Sequence, residues 1–264
     1  TKTIPMRPSL RLLDPLSTRN EPIMQQEYER YEAEDFEVWQ LLYIRQEEQL
    51  RKSASATYLE GLKTIDFRAD EIPRFKKVNE KLQSLTQWEL VVVPGLIPDR
   101  TFFELLSHQK FPATTWLRKK ASLDYLEEPD MFHDVFAHVP LLTNAFFVKF
   151  LLGLSQLGLT YFNNAAAIEV LTRIYWFTVE FGLIREQGQL KIYGAGILSS
   201  LGETAHCLSK EATRLDFDLE RIMHLNFRKD VFQESYFIIS SYEELYDVIP
   251  ALTRKMNLLF DKGN

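Results

Sequence analysis

The stretch Glu128-Pro-Asp-Met-Phe-His-Asp-Val-Phe-Ala-His-Val-Pro140 constrains this chain more than any other. Pro129 suits the first turn of a helix, where a missing N–H costs nothing. Pro140 closes the segment, because the residue before a proline is pushed out of the α region. One short helix between them then carries His133 and His138, two of the five histidines. At α-helical pitch a spacing of five sets them about 140° apart and about 7.5 Å along the axis. They can share a ligand only if His138 lies in a loosened last turn and both rings lean inward. Asp130, Asp134, Glu127 and Glu128 make the surroundings acidic, which favours a cation. Taken alone, two histidines on a helix are more often core or surface side chains than metal ligands.

A facial iron site needs two imidazoles and one carboxylate. Glu180 is the acid most out of place, inside Ile174-Tyr-Trp-Phe-Thr-Val-Glu-Phe-Gly-Leu-Ile184 and apolar on both sides. An ionised carboxylate buried without a partner costs several kcal/mol, roughly, even after relaxation. Either an arginine (Arg173 or Arg185) or a metal must compensate, and the residues alone do not choose. Glu169 is a second candidate, at the polar start of the same helix. His206 and His224 have no partner at ligand spacing and read as structural or surface residues. His108 reads as a helix cap.

The 264 residues suffice for one large domain or two small ones. A net charge of -6 argues against a nucleic-acid partner and gives no reason to expect an anionic membrane surface. Cys207 is the only cysteine, so an intrachain disulfide is excluded and a reducing, cytoplasmic setting is expected. No run of eighteen apolar residues could span a bilayer. Residues 1–24 are proline-dotted and read as an N-terminal arm; 25–264 read as a single catalytic domain, mainly α with a few short β-strands. Helices are expected over 25–53, 58–65, 73–85, 100–108 with Asp99 as cap, 144–158, 164–185, 198–209 and 242–259. The last is capped by Ser241, with Glu244 completing a capping box. Strands are expected at 89–93, 111–116, 189–193 and 235–239, with a turn over Tyr193–Gly196.

Four ordered segments resemble the pterin-dependent aromatic amino acid hydroxylases, above all the small bacterial phenylalanine 4-hydroxylases. They are Leu123–Leu142, Ile174–Leu183, Tyr193–Ser200, and Val93–Phe103 followed by Phe111–Arg118. The resemblance implies non-haem Fe(II) on His133, His138 and Glu180, with no catalytic side chain beyond them. It implies tetrahydrobiopterin or a related reduced pterin as cofactor and O2 as co-substrate. By the family pattern Gly95, Leu96, Ile97, Phe102, Asp134 and Tyr175 bind the pterin. Arg118 pairs with the substrate carboxylate and Asp130 holds Arg118. Trp176 and Phe181 bracket the substrate ring; Gly196 and Ser199 shape its pocket, Ser199 through a hydrogen bond to His133. The segment 227–232 borders the pocket, with Lys229 and Asp230 bearing on substrate preference. Ala137 stands where the family usually has glycine. The substrate implied is a small molecule, L-phenylalanine, giving L-tyrosine, with tryptophan or tyrosine as rivals. The regulatory and tetramerisation segments of the animal enzymes find no counterpart in the sequence, so a monomer is expected. A zinc hydrolase on the same three donors and a catalytically silent binding fold are the readings from other classes.

Overall fold

The computed structural model describes residues 24–124, 128–229 and 231–261. The fold is mainly helical with short strands, as expected. Of the expected arm, all but Met24 lies outside the described residues. Helix α1 starts at Ala33 rather than near residue 25, after a 3-10 turn over Tyr28–Arg30, and runs to Ser53. The reason is local: the Glu32 side chain and Asp35 cap each other's backbone N–H groups and fix the start. Helices α2 (Ala56–Ile65) and α3 (Phe75–Leu85) follow, then strand β1 (Glu89–Val92). Helix α4 is Asp99–Ser107; Asp99 is its first residue and Pro98 its cap. Strand β2 (Lys110–Ala113) pairs in parallel with β1.

The histidine segment departs from the expected α-helix. Pro129 lies outside it, and Phe132–His138 is π-helical, running on through Pro140 in a 3-10 turn over Val139–Thr143. Pro140 does not end the helical path because it occupies the first turn of that narrower helix. The wide turn is packed from outside. The Phe132 and Phe136 rings stack at 4.5 Å, with Trp39, Tyr43 and Tyr58 edge-on to one or other of them. Such ring pairs contribute about 1 kcal/mol each beyond area burial. The Tyr58 hydroxyl donates to the Phe136 carbonyl at 2.9 Å.

Helix α5 (Ala145–Thr160) begins where the Asn144 side chain accepts from Phe146 and Phe147 N–H. Helix α6 is only Ala165–Tyr175, so the single helix expected over 164–185 is not observed. It widens into a second π-turn, Trp176–Glu180, and then stops. Leu183–Glu186 forms strand β3 instead, turned back by Gln187 and Gly188 into β4 (Gln189–Ile192). Both turn residues have positive φ, 50° and 78°, the twist a two-residue hairpin needs. The expected turn at Tyr193–Gly196 is already the start of helix α7 (Ala195–Leu198), which is separate from α8 (Leu201–Cys207) because Ser200 caps the latter.

Strand β5 (Thr213–Asp216) and helix α9 (Leu219–His224) were not anticipated. Strand β6 (Ser235–Ile239) lies between β3 and β5, parallel to both, in the order β4-β3-β6-β5. Helix α10 spans Tyr242–Phe260; Ser241 accepts from Glu244 N–H as expected, but Glu244 reaches back to Ser240 N–H rather than to Ser241. Among the described residues no single helix is long and apolar enough to cross a membrane. The histidine segment and α5 would be long enough only together, and they meet at a bend of 112°.

Candidate active site

Residues five apart fall on one face of a π-helix, because each of its hydrogen bonds joins i to i+5. That solves the 140° problem the α-helical spacing posed. His133 Nε2 and His138 Nε2 lie 3.2 Å apart, and Glu180 comes down from the second π-turn between them. Its Oε1 is 3.2 Å from His138 Nε2 and its Oε2 is 3.5 Å from His133 Nε2. Neither arginine that could have neutralised Glu180 reaches it. Arg173 is held by Glu169, the Met223 carbonyl and Asn226, and Arg185 by Asp216. Glu169, the second acid candidate, is thereby occupied on the surface.

The three donors fit a metal ion. Donors about 2.1 Å from one ion and spread by about 90–109° stand about 3.0–3.4 Å apart. The protonation state suits it as well. The Ser199 hydroxyl donates to the Ala195 carbonyl at 2.8 Å, so at 2.9 Å it can only accept from His133 Nδ1–H. The proton is thereby kept on Nδ1 and the Nε2 lone pair faces the cluster. Burial holds the His133 ring below its ordinary pKa despite the Glu180 carboxylate nearby. Burial alone would raise the Glu180 carboxyl, but His138, His133 and the Lys229 ammonium outweigh it and hold it below the usual value.

Asp130, fully buried, joins the histidine segment to Arg118. Its two oxygens accept from Arg118 Nε and Nη2, each at 2.9 Å, and one of them also accepts from His133 N–H at 3.1 Å. Asp130 therefore both holds Arg118, as expected, and accepts from a backbone N–H at the start of the histidine segment. Arg118 Nη1 also donates to the Leu123 carbonyl at 3.1 Å.

The residues of the expected pterin site fall on the neighbouring side. Gly95, Leu96 and Ile97 form the loop between β1 and α4, with Leu96 well exposed. Phe102, on α4, meets the Tyr175 ring edge-on at 5.4 Å. Burial, with Glu180 and Asp134 adding to it, drives the Tyr175 hydroxyl far above its ordinary pKa. Asp134 Oδ2 accepts from Thr114 N–H and Oγ–H, both at 2.8 Å, and burial raises its carboxyl.

On the opposite side the Trp176 ring packs against Phe181 at 4.6 Å and stacks on Phe227 at 4.4 Å, with Lys229 Nζ 5.7 Å from it. A side chain at Gly196 would come within 2.6 Å of the tip of Phe181, so glycine sets that ring's position. Asp230 lies outside the described residues. Ala137 is fully buried within the first π-turn. Of the remaining histidines, His108 bonds the Glu104 carbonyl at its helix end, and His224 pairs with Glu220 on the surface. His206 is hydrogen-bonded to the Gln233 carbonyl.

The sequence reading missed Gln233. It is 5% exposed and accepts from Trp176 Nε1–H at 2.8 Å. The available signal was indirect: an indole N–H is a donor only and needs an acceptor when buried.

A helical shell that brings two imidazoles and one carboxylate to one point, with a cluster of aromatic rings on the turn that carries the carboxylate, is the arrangement of a mononuclear non-haem iron oxygenase. The comparisons with known proteins sharpen this. The family described as biopterin-dependent aromatic amino acid hydroxylase matches residues 18–262. The phenylalanine-4-hydroxylase of Chromobacterium violaceum is 47% identical over 229 residues, covering 86% of this chain and 77% of the relative. That of Ralstonia nicotianae is 45% identical, covering 89% and 75%. A crystal structure of the C. violaceum enzyme with iron(III) and oxidised 7,8-dihydrobiopterin matches with a TM-score of 0.84 and 46% identity. It covers 89% of this chain and 86% of that one. The chain belongs to the biopterin-dependent aromatic amino acid hydroxylase family. Its cofactors are iron and a biopterin, which sets aside the zinc hydrolase and the silent binding fold.

Proposed function

We propose that this chain is a phenylalanine 4-monooxygenase that converts L-phenylalanine to L-tyrosine with O2 and a tetrahydropterin. The observation that carries it is the convergence of His133, His138 and Glu180 within 3.2–3.5 Å beside the packed rings of Trp176 and Phe181. These three residues would hold Fe(II), leaving the face toward the pocket open. Iron and reduced pterin together supply the electrons and oxygen activation for which the polypeptide has no group of its own.

The protein's part is binding, orientation and exclusion of water. Ser199 keeps the His133 proton on Nδ1. Arg118, fixed in one plane by Asp130, offers its remaining N–H donors to the substrate carboxylate. Trp176 and Phe181, packed ring against ring, form one wall for the substrate ring, with Gly196 leaving Phe181 its place. Phe102 and Tyr175 offer aromatic surface to the pterin, Asp134 lines that side, and the Gly95, Leu96 and Ile97 backbone supplies polar contacts. Residues 25–264 act as one catalytic domain. A monomer in the cytoplasm, without nucleic-acid or membrane partner, is in keeping with the acidic charge balance.

The test is turnover by Fe(II)-loaded protein given tetrahydropterin, O2 and phenylalanine, tyrosine or tryptophan in parallel. Tyrosine formed from phenylalanine well above the other two reactions, and absent without pterin, is the expected outcome. Preferred hydroxylation of tyrosine or tryptophan would overturn the substrate and keep the chemistry.

A further inference from the structure

We propose that Gln233 is a positioning residue for the aromatic substrate, clamping the Trp176 indole and the Phe227–Arg228 backbone into one rigid wall. The inference rests on the reading of Trp176 as a wall of the substrate site.

The argument starts from what a glutamine amide can do. It has one acceptor and two donors, and here both ends are engaged. Oε1 accepts from Trp176 Nε1–H at 2.8 Å, while Nε2 donates to the Arg228 carbonyl at 2.8 Å. The side chain therefore ties an element of the metal centre to the Arg228 backbone, beyond the end of α9. Trp176 opens the same five-residue π-turn that Glu180 closes, and Phe181 N–H returns to the Trp176 carbonyl at 2.9 Å. What fixes the indole thus also fixes the outer end of that turn.

The backbone of Gln233 is anchored in its turn. Its N–H donates to Glu203 Oε1 at 3.1 Å, and its carbonyl accepts from His206 Nε2–H at 3.1 Å. Glu203 is 4% exposed, and the same oxygen also accepts from the Tyr236 hydroxyl at 2.8 Å. Burial raises its carboxyl pKa. A buried acid whose hydrogen-bond donors are both neutral makes an immobile anchor for a neutral amide. The rings that meet the substrate side are stacked on this frame: Phe227 lies nearly parallel to Trp176, with an interplanar angle of 18°. Without Gln233 the indole N–H is left without its acceptor, and the Arg228 carbonyl loses its amide donor.

The test compares the parent with Gln233→Met, which matches the shape and removes both polar ends. Loss of one buried hydrogen bond should raise the phenylalanine KM about tenfold, with the tetrahydropterin KM and the iron-to-protein ratio unchanged. Tyrosine formed per tetrahydropterin consumed should fall, because a loosely held ring is missed by the oxidant. In a Trp176→Phe background, which lacks the indole N–H, the Gln233 substitution should have a much smaller effect. Should the methionine variant not fold, Gln233→Asn carries the test: it is one methylene too short to reach the indole, and the same rise in KM is expected. An unchanged phenylalanine KM in the folded variants overturns the proposal. So does a parallel loss of kcat, iron and melting temperature with no change in coupling, since that marks a purely structural residue. If the parent prefers tyrosine or tryptophan, the substrate reading fails by itself, and the Gln233 comparison is made on the preferred amino acid.

Discussion

The two π-turns do the same geometric work by different means. The first, Phe132–His138, is held by the core: stacked Phe132 and Phe136 outside, Asp130 at its start and Ser199 against His133. The second, Trp176–Glu180, has the metal-facing acid at one end and, at the other, an indole tied to Gln233 on a segment without regular structure. A π-turn has poorer local energetics than an α-turn and persists where its surroundings insist on it. In the first turn those surroundings are apolar and buried. In the second they include a buried polar clamp. The comparison separates a half fixed by ring packing, which carries the two histidine donors, from a half fixed by hydrogen bonds, which carries the carboxylate donor and the indole.

The predictions test this division, beginning with the deepest change. Glu180→Ala should drive turnover below detection and empty the iron site while the circular dichroism spectrum stays that of the parent. Iron retained at parental stoichiometry would break the donor assignment. Asp130→Asn should come next, because it leaves Arg118, almost wholly buried, facing a neutral amide. A destabilisation of about 3 kcal/mol is expected, read by chemical denaturation, together with a higher phenylalanine KM; a variant as stable as the parent would show that the first half does not depend on this pair. Ser199→Ala removes only the acceptor that fixes the His133 proton. Iron affinity should weaken roughly 10–100-fold by competitive chelation, with phenylalanine KM nearly unmoved at saturating iron.

The smallest effect is a pH dependence on the hydrogen-bonded side. Glu203 is raised above the ordinary 4.5 by burial, so the folded protein holds its proton more tightly than the unfolded chain. Its stabilising contribution is therefore complete below the ordinary carboxyl range and declines as pH rises through the raised value. Glu203→Gln removes that decline. Melting curves of parent and variant should draw apart in the variant's favour as pH increases through that window, and parallel curves would rule the effect out.

Much of this was legible in the chain because chemistry left residues in unusual places. Glu180 stood out as an acid in an apolar run; the His133–His138 spacing spoke against a shared ligand at α-helical pitch, and the resemblance of four ordered segments supplied the metal. What could not be read was the backbone that makes a spacing of five useful: periodicity assumes α geometry, and the π-turn is imposed by packing with Trp39, Tyr43 and Tyr58 from distant helices. The same assumption extended α6 to Arg185, where β3 is instead recruited by β6, far along the chain. Strand β5 stayed hidden because Thr213-Arg-Leu-Asp216 is short and charged. Gln233 stayed hidden because nothing local marks a glutamine as a hub.

The place of β6 in the sheet gives synthesis a direction. The residues that converge on the metal, Ser199 included, all leave the ribosome before β6 does. Strand β3 can pair with β4 by then, but its other edge waits for Ser235–Ile239. An unpaired strand edge is a template for pairing with another chain. Until Ser235–Ile239 is made, that edge of β3 lacks its partner, and arrival of the strand shields it.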